Sequence, residues 1–111
     1  MASQSKDYRV DPETMVNLES IVEGSDLDTA LEIFEALSDE RRLKVMRLLE
    51  ASELCVCDLV EIFDIEYSKL SYHLKVLKDA GLVTADRNGN YVTYRPTECG
   101  KDVIDVIQHF E

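Results

Sequence analysis

The hydrophobic period changes once along this chain, and that change restricts the fold more than any other feature. Up to about residue 80, apolar residues recur at helical spacing. Residues 82–87 and 91–95 are instead β-rich and flank Asn88-Gly89-Asn90. Asn-Gly between such runs predicts a hairpin, because both central residues of a type I′ turn need positive φ. Just before it, a short helix is expected over 55–63 and a longer one over 67–80, with Leu70, Leu74 and Leu77 inward and Gly81 as terminator. Two such helices joined by Asp64-Ile65-Glu66 read as helix-turn-helix.

The flanks are helical too. Asp11-Pro12-Glu13 reads as a helix start, with Asp as N-cap and Pro at the first position, and Gly24 as stop. A second helix is expected from Ser25, with Asp28 completing a variant capping box, and a third from Ser38, carrying Arg41, Arg42, Lys44 and Arg47. After Pro96 ends the second strand, Thr97 can cap a last helix. The fold class is therefore mainly α with a small β-hairpin, a winged helix-turn-helix, and dimeric. Residues 1–24 read as an acidic helical extension and 25–111 as the winged domain with flanking dimerisation helices. Leu31, Phe34, Val103, Ile107 and Phe110 are the expected dimer contacts, since the terminal helices carry more apolar residues than a small winged core needs.

At 111 residues one domain is expected, able to bury a core without metal or disulfide. The net charge of −11 argues against nucleic acid until its distribution is read. Residues 1–40 hold 11 acids against 2 bases, whereas residues 41–95 hold 8 acids against 9 bases. A locally basic stretch in an acidic chain can be an electrostatic footprint. The first half of a recognition helix enters the major groove. Tyr67, Ser68, Lys69, Ser71 and Tyr72 are thus candidates to reach DNA, with Lys75 nearer phosphate and Arg87, Asn88 and Asn90 at the wing tip. His73 reads as a packed or orienting residue. No apolar run approaches the ~20 residues that span a bilayer. The N-terminus lacks the apolar stretch of a secretory signal. A cytoplasmic protein with no membrane partner is expected.

Three cysteines, Cys55, Cys57 and Cys99, are too few for a disulfide framework and leave metal, redox or core roles. In a helix interior, residues two apart point about 200° away from one another and could not share an ion. No nucleophile–base pair, phosphate loop or H-E-x-x-H pattern points to an enzyme.

Four segments carry a resemblance: Ala36-Leu37-Ser38-Asp39-Glu40-Arg41-Arg42-Leu43, Glu53-Leu54-Cys55-Val56-Cys57-Asp58-Leu59, Ser71-Tyr72-His73-Leu74-Lys75-Val76-Leu77 and Ala80-Gly81-Leu82-Val83. Over about residues 30–96 the chain resembles the ArsR/SmtB-type metal- and metalloid-responsive winged-helix regulators. Val60 stands where the arsenite-sensing version often has a third cysteine. Asp64 replaces a common Gly, and Glu66 replaces a usual Ser or Thr cap.

The resemblance implies a homodimeric repressor that holds near-palindromic double-stranded operator DNA and releases it when its effector binds. It puts Cys55 near an N-cap and Cys57 in the first turn, where the sulfurs could converge. The implied effector is As(III) or a soft divalent metal (Cd, Pb or Zn), held by Cys55 and Cys57 with Cys99 as a possible third ligand from either chain. Asp58 is then a capping acid or a weak extra ligand. Two other readings stay open. One is thiol redox without metal, although a disulfide across one residue is expected to distort the helix start. The other is a winged-helix protein-interaction module. Asp102, Asp105, His109 and Glu111 on the last helix could donate to a metal, but a solvated face is the favoured reading.

Overall fold

The computed structural model describes residues 9–111. In chain order it has helices α1 (Pro12–Gly24), α2 (Asp28–Leu37) and α3 (Glu40–Ala51), strand β1 (Leu54–Cys55), and helices α4 (Val56–Phe63) and α5 (Tyr67–Asp79). Strands β2 (Val83–Asn88) and β3 (Tyr91–Pro96) and helix α6 (Glu98–His109) follow. The fold is a winged helix-turn-helix in which α4 and α5 form the motif and β2–β3 the wing.

The core gathers where the helices meet the wing. Val45, Met46 and Leu49 of α3, Leu59 of α4, Leu70, Leu74 and Leu77 of α5, Leu82, Val83 and Ile104 are buried together. Each such leucine contributes about 1.5–3 kcal/mol by burial. α5 ends in a Schellman motif: Leu82 N–H donates to Leu77 C=O at 3.0 Å and Gly81 N–H to Lys78 C=O at 2.9 Å. Gly81 supplies the positive φ of 78° that this turn needs. The motif turns the chain directly into β2 and lets buried Leu82 follow buried Leu77.

The helix starts differ in detail from the sequence expectation. Asp11 caps α1 as expected, accepting from Thr14 N–H at 2.7 Å. α2 begins at Asp28 rather than at Ser25; Ser25 instead donates its hydroxyl to Ile21 C=O, and Asp26 accepts from Asp28 N–H. α3 is capped by Asp39, one residue after Ser38, through bonds from Arg41 and Arg42 N–H. In both places several capping-type residues lie side by side, and composition does not rank them. Thr97 caps α6 as expected, accepting from Gly100 N–H at 3.0 Å. α1 buries no residue, and the expectation for residues 1–8 lies outside the described residues.

The wing hairpin is present with its turn moved by one residue. Asn88 pairs with Tyr91, so Gly89 and Asn90 are the central pair, and only Gly89 has positive φ (63°). A two-residue turn with glycine first fits type II′ rather than type I′. The sheet also has a third strand absent from the sequence reading: β1 pairs antiparallel with β3, with Leu54 opposite Tyr94 and Cys55 opposite Thr93. Two residues are too few to show a period. No helix among the described residues is long and apolar enough to cross a membrane.

Two positions carry predictions. Asp64 ends α4 in the left-handed region, at φ 53°. Asp64→Gly removes a side-chain penalty there and is expected to raise stability by about 0.5–1 kcal/mol in denaturant melts. At Gly100 an added Cβ would lie 2.1 Å from the Leu82 carbonyl oxygen. Gly100→Ala is expected to cost about 1–3 kcal/mol in the same melts, since backbone must move.

Candidate functional site

Cys55 is the last residue of β1 and the N-cap of α4, with extended backbone (φ −84°, ψ 167°). Its Sγ accepts from Asp58 N–H at 3.2 Å, and its own N–H donates to Asp58 Oδ2 at 3.0 Å. This is a capping box with sulfur in place of hydroxyl. Because Cys55 is extended rather than helical, the 200° separation does not apply. Its sulfur folds back over the first turn, where Cys57 sits. The two sulfurs are joined as a disulfide, with Cα atoms 5.2 Å apart, a separation disulfides accept. The expected distortion of the helix start is absent: both bonds of the capping box remain.

Ligand atoms of Cys55, Cys57 and Asp58 lie within 4.8 Å of one another. Cys55 is buried; Cys57 and Asp58 are exposed. Within one chain Cys99 is exposed in the first turn of α6 and lies outside this group. Asp102, Asp105 and His109 are exposed, and Glu111 pairs with Arg47.

α5 divides cleanly. Leu70, His73, Leu74 and Leu77 are buried, while Tyr67, Ser68, Lys69, Tyr72 and Lys75 are exposed and Ser71 is half-buried. Glu66 caps the helix without a side-chain bond, leaving its first amides to other partners. Lys75 pairs with Asp79 at 2.7 Å. On the wing Arg87, Asn88 and Asn90 are exposed, and Arg95 pairs with Asp86 at 2.7 Å.

An interaction that sequence reasoning missed fixes α5 against its neighbours. Arg42 was one of four cations on a helix, with no signal to single it out. In the fold its Nε donates to Ala36 C=O at 2.6 Å, at the end of α2, and its guanidinium lies 3.0 Å from His73 Nδ1 on α5. Guanidinium only donates, so Nδ1 is the acceptor and the imidazole is neutral, by this assignment with its proton on Nε2. Burial lowers the His73 pKa; the Asp39 carboxylate partly opposes this, and Arg42 and Arg41 add to it. Burial raises Asp39, but the Arg42 N–H and the nearby positive charges outweigh it, and its pKa falls below the ordinary range.

The expected dimer residues separate into two sets. Leu31, Phe34 and Phe110 are 64%, 68% and 81% exposed. Val103 and Ile107 are half-buried against the chain's own core. Val106, absent from the sequence reading, is 53% exposed and lies one turn before Phe110.

A helix-turn-helix with an exposed polar recognition face, a wing and a cysteine pair at the start of its first helix defines a winged-helix regulator. Residues 39–85 match the family described as bacterial regulatory protein, arsR family. The arsenical resistance operon repressor of Staphylococcus aureus is 42% identical over 77 residues, 69% of this chain and 72% of that protein. The arsenical resistance operon repressor of Bacillus subtilis (strain 168) is 50% identical over 62 residues, 55% of this chain and 59% of that protein. The matched region spans about three fifths of the length of the first curated relatives. Among solved structures, the homodimeric winged helix-turn-helix DNA-binding domain of Mb0332 from Mycobacterium bovis, a possible ArsR-family transcriptional regulator, aligns with TM-score 0.71 and 27% identity. That alignment covers 99% of this chain and 89% of that one. The chain belongs to the arsR family of bacterial regulatory proteins.

The His73 environment predicts a pH-dependent stability. With a folded pKa below the ordinary 6.5, the unfolded chain binds more protons between the two values. The contribution is therefore complete above the ordinary value and is lost as pH falls through it toward the folded one. Thermal melts from about pH 7.5 to about 5.5 are expected to show falling stability, and His73→Asn to remove that part of the slope.

Proposed function

We propose that this chain is a homodimeric transcriptional repressor that leaves its operator when a thiophilic effector binds Cys55 and Cys57. The observation that carries the reading is the position of this pair at the N-terminus of α4, the first helix of the DNA-binding motif. The names of relatives in Staphylococcus aureus and Bacillus subtilis, both arsenical resistance operon repressors, support As(III) as effector. A soft divalent metal (Cd, Pb or Zn) is the alternative, and a cadmium resistance regulator of Listeria innocua, 44% identical over 62 residues, supports it.

Each thiol condenses with one hydroxyl of arsenous acid and releases water. A third thiol then condenses with the remaining hydroxyl and releases a third water, with Cys99 of the same or the partner chain as the candidate. Drawing the start of α4 toward that donor carries α5 with it, because Leu59 of α4 is packed against the buried leucines of α5, and so moves the two recognition helices of the dimer relative to one another. In a dimer the two recognition helices must meet half-sites one DNA turn apart, so a small shift in each subunit breaks the match. Binding drives release to the extent that the effector prefers the DNA-incompetent state.

On DNA, Tyr67, Ser68, Lys69, Ser71 and Tyr72 face the major groove of a near-palindromic double-stranded operator. Lys75 meets phosphate, and Arg87, Asn88 and Asn90 reach the backbone or minor groove. Leu31, Phe34 and Phe110 form the dimer face with Val103 and Ile107 behind them, and α1 is an appendage to the domain that begins at residue 25. The protein works in the cytoplasm, and no step calls for catalysis.

A specific observation favours a second reading. The Cys55–Cys57 pair forms a disulfide with the α4 capping box intact, so the same two sulfurs are open to a thiol oxidant without metal. Fluorescence anisotropy of the reduced protein on its own promoter DNA separates the two. Arsenite is expected to release wild type at about one arsenic per subunit, and Cys57→Ser to shift the midpoint about tenfold or more. Release by a thiol oxidant but not by arsenite would select the redox reading. Release of Cys57→Ser at wild-type potency would reject both.

A further inference from the structure

We propose that Arg42 is a positioning residue that transmits the placement of α2 to the recognition helix α5 through neutral His73. This rests on the DNA-binding reading above. Arg42 is fixed three ways: its backbone N–H donates to Asp39 Oδ1 at 3.2 Å, its Nε to Ala36 C=O, and its guanidinium to His73 Nδ1. Its planar fork thus spans the end of α2 and the middle of α5, while its backbone holds it at the start of α3. α2 also carries Leu31 and Phe34 on its exposed face. His73 is buried on α5 directly after exposed Tyr72, whose ring centroid lies 5.8 Å from the imidazole. A shift of His73 therefore moves a DNA-facing side chain.

The bond requires an unprotonated Nδ1. On protonation two donors face one another, and an imidazolium stands against a guanidinium. The charged and titratable groups around His73 are Asp39 before α3, Arg41 and Arg42 on α3, and Tyr72 on α5. Glu32 and Glu35 of α2 and Asp79 of α5 line the adjoining groove with Arg42 and Tyr72. Asp39 accepts from the same Arg42 and partly offsets the added charge, without restoring the lost acceptor.

General electrostatics predicts the opposite trend to this mechanism. Acidification makes the protein less negative and strengthens attraction to phosphate. The test is promoter-DNA anisotropy of the full chain from about pH 7.5 to about 5.5, with circular dichroism confirming the fold at each pH. Wild-type affinity is expected to fall about tenfold or more over that range. His73→Asn, which keeps an acceptor that does not titrate, is expected to stay within about threefold of wild type at the upper pH and to lose the fall. Arg42→Lys places one ammonium where a fork spanned two acceptors, and is expected to bind about tenfold more weakly at the upper pH.

Wild-type affinity that is flat or rises on acidification overturns the proposal, whatever the variants do. So does a folded His73→Asn protein with the wild-type pH profile, or an Arg42→Lys protein that binds like wild type. A wild type that binds no DNA at the upper pH overturns the DNA-binding reading itself, and the proposal with it.

Discussion

The reciprocal pair of hydrogen bonds between Cys55 and Asp58 joins the two halves of this fold. On one side Cys55 ends a strand that pairs with Thr93 of the wing. On the other it caps the helix that opens the DNA-binding motif. Wing and motif are therefore joined at Cys55 as well as through the turn from α5 into β2, and Cys55 carries a sulfur. A hydroxyl could cap the helix as well. A thiolate adds affinity for soft ions and access to oxidation, both of which act on the atom that holds the helix start.

A second joint is made by Arg42, which links the end of α2 to the middle of α5. Between the two joints Leu59 of α4 and Leu70, Leu74 and Leu77 of α5 are buried in one core. Movement at either joint is therefore passed to α5 as a whole. Charge is arranged on the same plan. The acidic excess lies in residues 1–40 and 96–111, and the cations cluster in residues 41–95. Long-range repulsion by acidic ends weakens indiscriminate binding to phosphate, and in the proposed complex this raises the relative weight of contacts from α5 and the wing.

The order of elements was legible because each rests on a local signal: the period change at residue 82, the Gly81 stop, and Asp11 and Thr97 as caps. What was not legible is instructive. Ser25 and Ser38 each stand near a carboxylate that competes for the same amides, and the winner depends on chain direction set by packing. At 88–90, Asn-Gly and Gly-Asn both make acceptable hairpin turns, and the pairing of Asn88 with Tyr91 decides between them. β1 is two residues long and is defined only by its partner strand. Arg42 looks like any solvated cation until α2 and α5 are brought beside it. Of the cysteines, the Cys55–Cys57 convergence followed from the family resemblance rather than from spacing, since spacing alone argued against it. Val103 and Ile107 share a stripe with Phe110, yet the fold turns them toward the core and leaves Val106 outward.

In the proposed mechanism effector and DNA compete through one conformational equilibrium. Coupling of this kind is reciprocal by necessity. The most direct measurement is the arsenite affinity of the reduced protein, determined by titration calorimetry free and saturated with promoter DNA. Arsenite is expected to bind more weakly on DNA, by the same factor by which arsenite weakens DNA binding. Equal arsenite affinity in the two states would contradict it, and would leave Cys55 and Cys57 as a metalloid site unconnected to DNA release.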